Sequence, residues 1–244
     1  MAFLQSALSF VLRRMPRQEV RLLNFLMRRS LPPAMGVFLK KGITVGTVYD
    51  VGARTGDWTA EAARLFPGAD FVLFEANPDF GAALARTGHR HFIALLFSEE
   101  REVDFYSRGS EGDSIFRENT SGFDDLEPTR VQAATLDGLI ERENLPLPDF
   151  LKIDTQGAEI EVMKGGSKAL AAARFVLLEC PVMSAFNQGA PNFDEYQTFM
   201  LEAGFLPTNL IERHVIDGRL LQVDILFAKK TLINQVFGDT VLKD

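Results

Sequence analysis

From residue 47 onward the chain alternates between two hydrophobic patterns. Short, almost uninterrupted apolar runs give way to segments whose apolar residues recur every three or four positions. The first pattern marks strands buried on both faces, and the second marks helices laid against them. The spacing predicts strands over 47–51 (TVYDV), 70–76 (DFVLFEA), 89–97 (HRHFIALLF), 149–154 (DFLKID) and 174–180 (RFVLLEC). Helices are expected over 58–66, 78–87, LDGLIERENL and 193–204, the last stopped by Gly204. AEIEVMKGG running into SKALAAA reads as helical but broken at Gly165 and Gly166. EVDFYS (102–107) alternates as an extra strand, and the pattern resumes at RVQAATL (130–136). Residues 108–129 between them have no period and read as a long loop, with Asp113, Ser114 and Arg117 placed to close over a ligand. The chain ends in two strands around Asp217-Gly218, a hairpin signal. Alternating βα units followed by a hairpin imply an α/β fold, a doubly wound and mostly parallel sheet whose last strand runs antiparallel.

The amino-terminal segment differs in pattern and in charge. Two short helices broken near Pro16 are expected there, and residues 1–41 hold eight basic side chains against the single acid Glu19. That segment is +7 and the rest of the chain −14, for a net −7. Arg13 and Arg14 follow the first apolar stretch instead of preceding it, unlike a secretory signal. A helical cap on the domain is the favoured reading of this extension. A basic amphipathic surface for anionic lipid or a protein partner is the other. An acidic body is a poor match for a nucleic-acid backbone, so no nucleic-acid partner is expected. No apolar run is long enough to span a bilayer. Cys180 is the only cysteine, which excludes an internal disulfide and a thiolate zinc cluster and suits a reducing compartment such as the cytoplasm. The expected division is a basic extension (1–41), an α/β domain (42–230) and a tail (231–244).

In open α/β sheets ligands bind beyond the carboxyl ends of the strands, where strand order reverses. The residues there are Asp50 to Asp57, Glu75 with Ala76 and Asn77, Ala94 to Phe97, Asp154 to Glu159, and Glu179 to Val182. The loop Gly52-Ala53-Arg54-Thr55-Gly56 carries a methyl group where a dinucleotide fingerprint has its second glycine, and it lacks the Gly-Lys-Ser/Thr of a phosphate loop. Acids flank it at Asp50 and Asp57. Acids suit a cationic, phosphate-free nucleoside such as S-adenosylmethionine better than a pyrophosphate. Glu75 ends the second strand, placed to accept both ribose hydroxyls. The competing reading is that the glycines only shape a tight turn.

Together, YDVGARTGDWT, FEANP, TLDGLI and KIDTQGAE followed by MKGG resemble the FkbM family of S-adenosylmethionine-dependent methyltransferases. The resemblance covers about residues 47–228, and Glu75-Ala76 replaces the family's more usual Glu-Pro. It implies the class I methyltransferase fold, Rossmann-like with a seven-stranded sheet, and O-methylation of a sugar, glycolipid or natural-product hydroxyl. It implies S-adenosyl-L-methionine as cofactor, bound by Asp50, Gly52, Gly56 and Glu75; Ala53, Asp57, Ala76 and Ala94, placed after the same strands, complete the expected cofactor site.

Methyl transfer to a hydroxyl needs in-line positioning and a route for the hydroxyl proton. Asp154, at the tip of its strand, is the leading candidate for base or acceptor orienter; a helix-capping role competes. Lys152 shares its side of the strand. His214, on the terminal hairpin, is a further candidate base, whereas His89 and His91 fall at a strand start away from the crevice. Asp154 with Glu179 is a weak Mg²⁺ pair without an evident third ligand, so no metal site is assigned. A dehydrogenase-like NAD(P) enzyme and a catalytically silent binding protein are the rival functions.

Overall fold

The apolar runs form the sheet. The structure, a computed structural model, describes residues 31–109, 112–120, 122–182, 187–216 and 218–238. The two short helices expected before Leu31 lie outside the described residues. Helix α1 (Leu31–Lys40) leads into β1 (Thr47–Val51), α2 (Asp57–Leu65), β2 (Asp70–Glu75), α3 (Gly81–Arg86) and β3 (Arg90–Ile93). There follow β4 (Glu102–Phe105), β5 (Thr129–Gln132), α4 (Leu136–Glu143), β6 (Phe150–Ile153), α5 (Glu159–Gly165) and α6 (Ser167–Ala172). The chain closes with β7 (Phe175–Pro181), α7 (Phe193–Glu202), β8 (Phe205–Ile216), β9 (Arg219–Lys229) and α8 (Lys230–Phe237).

The main sheet has seven strands in the order β3-β2-β1-β6-β7-β9-β8. All pairings are parallel except those of β9, which runs antiparallel to both β7 and β8. This is the doubly wound sheet that the alternating pattern implies. Strands β1, β6 and β7 are buried along their whole length, which is why they read as continuous apolar runs. Successive residues face opposite layers. Tyr49 and Val51 join Leu151, Ile153, Val176 and Leu178 in one core layer, packed on by Leu136, Met163 and Tyr196. Val48 joins Leu73, Phe150, Phe175 and Leu226 in the other.

That second layer is covered by segments lying outside the expected domain bounds. Met35 and Phe38 of α1 are buried against it, and the Phe38 ring meets Phe175 edge-on at 4.9 Å. The expected tail is helical through Phe237, because Leu232 and Ile233 fall on one face and pack into the same layer. Among the described residues no helix is long and apolar enough to cross a membrane.

Two expected strands are redistributed. Strand β3 ends at Ile93, and residues 94–97 leave the sheet, with Leu96 bridging to Ala134. The extra strand pairs with β5 as a separate antiparallel ribbon, packed through Leu95, Phe97, Val103, Phe105 and Ala133. The expected helix break is real. A methyl group built on Gly165 would lie 2.0 Å from the Phe97 backbone oxygen, so the glycine lets α5 run against that segment.

Candidate active site

Strand order reverses between β1 and β6, and the loops after these strands line a cavity of about 490 Å³, within the range of small-molecule sites. Its first wall is the glycine loop. Gly52 adopts φ +75°, and a methyl group built there would lie 1.8 Å from the Asp154 backbone oxygen. Only glycine fits both the conformation and the approach. The Gly52 and Ala53 amides donate to the Phe74 carbonyl at 2.9 and 3.0 Å, clamping the loop onto β2. Gly56, also in the left-handed region, precedes α2.

Glu75, at the end of β2, is buried but reaches the cavity. The Asn77 amide donates to its Oε1 at 2.8 Å and the Arg54 amide to its Oε2 at 2.7 Å. Each oxygen keeps a second lone pair for a ligand hydroxyl. Burial raises the Glu75 pKa from its ordinary value despite these two hydrogen bonds.

Beneath the loop lies a buried ion triad. Lys152 Nζ sits 3.1 Å from Asp50 Oδ1 and 3.4 Å from Asp154 Oδ2, and donates to the Gly52 carbonyl at 3.0 Å. Thr59 donates to the other Asp50 oxygen at 2.7 Å. Burial alone would lower the Lys152 pKa, but the Asp50 and Asp154 carboxylates outweigh it and hold the ammonium above the usual lysine range. Asp50 is fully enclosed and stands behind the cavity wall, so it meets the site through Lys152. Asp154, about a third exposed, faces the cavity.

The turn after β6 is shaped from inside by Glu159, which is fully buried. Its carboxylate accepts from the Thr155 amide at 2.7 Å, from the Gly157 amide at 3.1 Å and from the Tyr196 hydroxyl. Burial raises its pKa. Helix α5 has no side-chain cap, so Asp154 is free of the capping role that competed for it. Gln156, at φ +54°, lines the cavity and donates to Asp154 Oδ1 at 3.1 Å and to Glu179 Oε2. Asp154 and Glu179 are thus bridged by an amide, with Lys152 against the first.

The terminal hairpin supplies the far wall. Glu179 on β7 is paired in register with Asp224 on β9, which in turn is paired with Glu212 on β8. His214 Nε2 lies 3.6 Å from Glu179 Oε1 and 3.5 Å from Asp224 Oδ1. Gln222 donates to Glu179 Oε2 at 2.9 Å. Burial, then the neighbouring Asp154 and Asp224 charges, push the Glu179 pKa well up. The Asp224 carboxylate raises that of His214 against the effect of burial.

The long loop contributes Gly112, Asp113 and Glu118 to the cavity lining. Asp113 accepts from Asn77 Nδ2 and from Ser107 Oγ, each at 2.8 Å, and buried Ser114 donates to the Thr155 and Gln156 carbonyls at 3.1 and 2.9 Å. Asp113 lines the cavity, whereas Arg117 turns away to the Asp124 carbonyl.

The cavity therefore gathers Gly52, Ala53, Asp57, Glu75, Lys152, Asp154 and His214 from the sequence-derived candidates. Asp50, Gly56, Ala76 and Ala94 are not in its lining. Ala76 packs into the ribbon cluster, and Ala94 ties its amide to the Glu75 carbonyl at 2.8 Å. His91 lies on β3 at the sheet edge, and His89 borders a separate small pocket. The sequence reading missed Trp58, Phe80, Glu212 and Gln222, which also line the cavity, and Asp224 behind them. The hairpin group had a signal in retrospect. Glu212 and His214, like Gln222 and Asp224, stand two residues apart and so share a strand face.

The chain matches the model of the methyltransferase FkbM domain over residues 50–207. It is 28% identical over 138 residues to the hexuronic acid methyltransferase AglP of Haloferax volcanii, covering 54% of each chain. It is 24% identical over 151 residues to the 2-O-methyltransferase NoeI of Sinorhizobium fredii, covering 54% of this chain and 62% of that one. The match thus spans little more than half the length of these relatives. Among solved structures, the magnesium protoporphyrin IX methyltransferase of Synechocystis PCC 6803 superposes with a TM-score of 0.48 at 9% identity, over 87% of this chain and 82% of that chain. The loop, the acid that ends β2 and the turn after β6 all fall inside the matched span, and the chain belongs to the family of FkbM-domain methyltransferases.

Proposed function

We propose that this chain transfers the methyl group of S-adenosylmethionine to a hydroxyl oxygen of a sugar or a sugar-bearing acceptor. The observation that carries the cofactor assignment is Glu75, fixed by two backbone amides with its free lone pairs toward a cavity also bordered by Asp57 and Asp154. A cavity bordered by carboxylates favours a ligand that is cationic and free of phosphate. The relatives named for hexuronic acid and for 2-O-methylation support a carbohydrate hydroxyl as acceptor.

Bound S-adenosylmethionine supplies an activated methyl on a good leaving group, so positioning provides much of the acceleration. Glu75 takes the ribose hydroxyls, and the Gly52–Asp57 loop borders the methionine end. Asp154 orients the acceptor hydroxyl and accepts its proton. Lys152, anchored by Asp50, positions Asp154. His214 turns its Nε2 toward Glu179 and Asp224, so of the two sequence-derived candidate bases Asp154 is favoured, its carboxylate about a third exposed in the cavity lining.

Millimolar S-adenosylhomocysteine should raise the melting temperature of the purified protein, and a screen of sugars and glycolipids with labelled methyl donor should yield a methylated product. Asp154→Asn should lower turnover while leaving cofactor affinity nearly intact. Absence of thermal stabilisation would remove the cofactor assignment, and equal loss of turnover and affinity would move Asp154 into the cofactor pocket.

A further inference from the structure

The hairpin wall has a charge problem that the methyl-transfer reading leaves unsolved. Glu179 and Asp224 stand directly opposite one another on neighbouring antiparallel strands, and Asp224 is also opposite Glu212. Directly opposed like charges destabilise a sheet. Lys152 is already committed to Asp50 and Asp154. Among the described residues, the basic group that meets Glu179 and Asp224 at ion-pair distance is His214.

The geometry around His214 is not that of an imidazolium bridging two acids. Charge-assisted N–H···O bonds run about 2.7–2.9 Å, whereas His214 Nε2 stands 3.5 and 3.6 Å from its two carboxylate oxygens. Such separations fit donor atoms arranged about 2.1 Å from one shared ion. One ligand atom from each of Glu179, His214 and Asp224 lies within 4.8 Å of the others. The hydrogen bonds point the same way. Gln156 and Gln222 both donate to Glu179 Oε2, leaving Oε1 turned to the imidazole although the side chain is more than nine-tenths buried. Asp224 Oδ1 is likewise enclosed and has no hydrogen-bond partner among the described residues. Amides that occupy one carboxylate oxygen and leave the other free are the outer support expected of a metal ligand.

We propose that Glu179, His214 and Asp224 bind a divalent first-row cation, of the Mn²⁺ or Zn²⁺ kind that a mixed imidazole and carboxylate set suits. The site differs from the Asp154–Glu179 pair considered from sequence, because Gln156 and Lys152 engage Asp154. Glu179 and His214 both line the main cavity, so the remaining coordination positions open toward the acceptor. There the cation would polarise an acceptor hydroxyl and ease loss of its proton to Asp154. That role rests on the proposed methyl transfer; the binding does not.

The test uses chelator-treated full-length protein without cofactor, titrated with Mn²⁺ and followed by electron paramagnetic resonance and calorimetry. Saturable binding of one ion per chain is expected, with substoichiometric Mn²⁺ broadening the His214 ring signals in NMR. His214→Ala, at a position one-third exposed and so tolerant of truncation, should weaken binding at least tenfold. Asp224→Asn should do the same, while Glu75→Ala should leave it unchanged. Absence of saturable binding, or binding that His214→Ala leaves intact, would overturn the site. Two protonated His214 nitrogens at neutral pH, unaffected by Mn²⁺, would assign the position to an imidazolium instead. None of these readouts depends on methyl transfer, whose own test is stabilisation by S-adenosylhomocysteine.

Discussion

Lys152→Met tests whether the triad under the glycine loop is held by charge. The methionine keeps the length of the side chain and removes the ammonium, so the effect is mainly electrostatic. Asp50 has no exposed surface, and Lys152 is the cation 3.1 Å from its Oδ1; without it the carboxylate keeps, among the described residues, the Thr59 hydroxyl. Removing one partner of a buried pair costs about 3–5 kcal/mol, because the other charge is left uncompensated. For a domain of this size that corresponds to a fall of roughly 6–20 °C in melting temperature. Urea denaturation at neutral pH, with the slope of the transition unchanged, reads the loss directly. The decisive arm is the double variant. Asp50→Asn still accepts from Thr59 but carries no charge, so adding it to Lys152→Met should recover about 2 kcal/mol or more of the loss. A loss below about 1 kcal/mol in the single variant, or no recovery in the double, would show that the triad is not what secures the loop.

Two further outcomes follow from the cofactor wall. Glu75→Ala should weaken S-adenosylhomocysteine binding by about 1–3 kcal/mol in calorimetry, the cost of losing a charged hydrogen-bonding group. Because burial raises the Glu75 pKa above its ordinary 4.5, two pH effects of opposite sign attach to it. The stability it contributes without cofactor is present below the ordinary value and is lost as pH rises through the raised one. Cofactor affinity needs the ionised form, so it should fall as pH drops through that raised value, and Glu75→Gln should abolish this dependence. Gly52→Ala should cost more than about 2 kcal/mol, since it adds left-handed strain to a collision with the Asp154 carbonyl. A midpoint shift within error of zero would mean that the loop and the β6 turn separate at no cost.

The pattern of apolar runs was enough to predict the doubly wound sheet, because strands buried on both faces cannot be written in any other composition. Gly52 and Glu75 were legible for a similar reason, since a tight strand-to-helix turn and a strand-end acid are local features with fixed spacing. What periodicity could not reveal was that residues 94–97 leave the sheet, or that β4 and β5 pair with each other. Both depend on which surfaces remain to be covered once the larger elements have packed. The expected tail hid its helix in the same way, because Leu232 and Ile233 matter only where Phe38 and Phe175 await them.

The site divides along the same line. Local sequence determined the residues at the strand tips, since a βα unit delivers its loop to one edge of the sheet whatever its neighbours do. Tertiary structure decided which of those residues meet the cavity. It buried Asp50 behind Lys152, turned Glu159 inward to brace the turn, and brought Glu179, His214 and Asp224 together from three strands. The register of an antiparallel hairpin against a parallel sheet is a long-range choice, made by the burial of whole faces. No short stretch of sequence contains the three strands on which that choice acts.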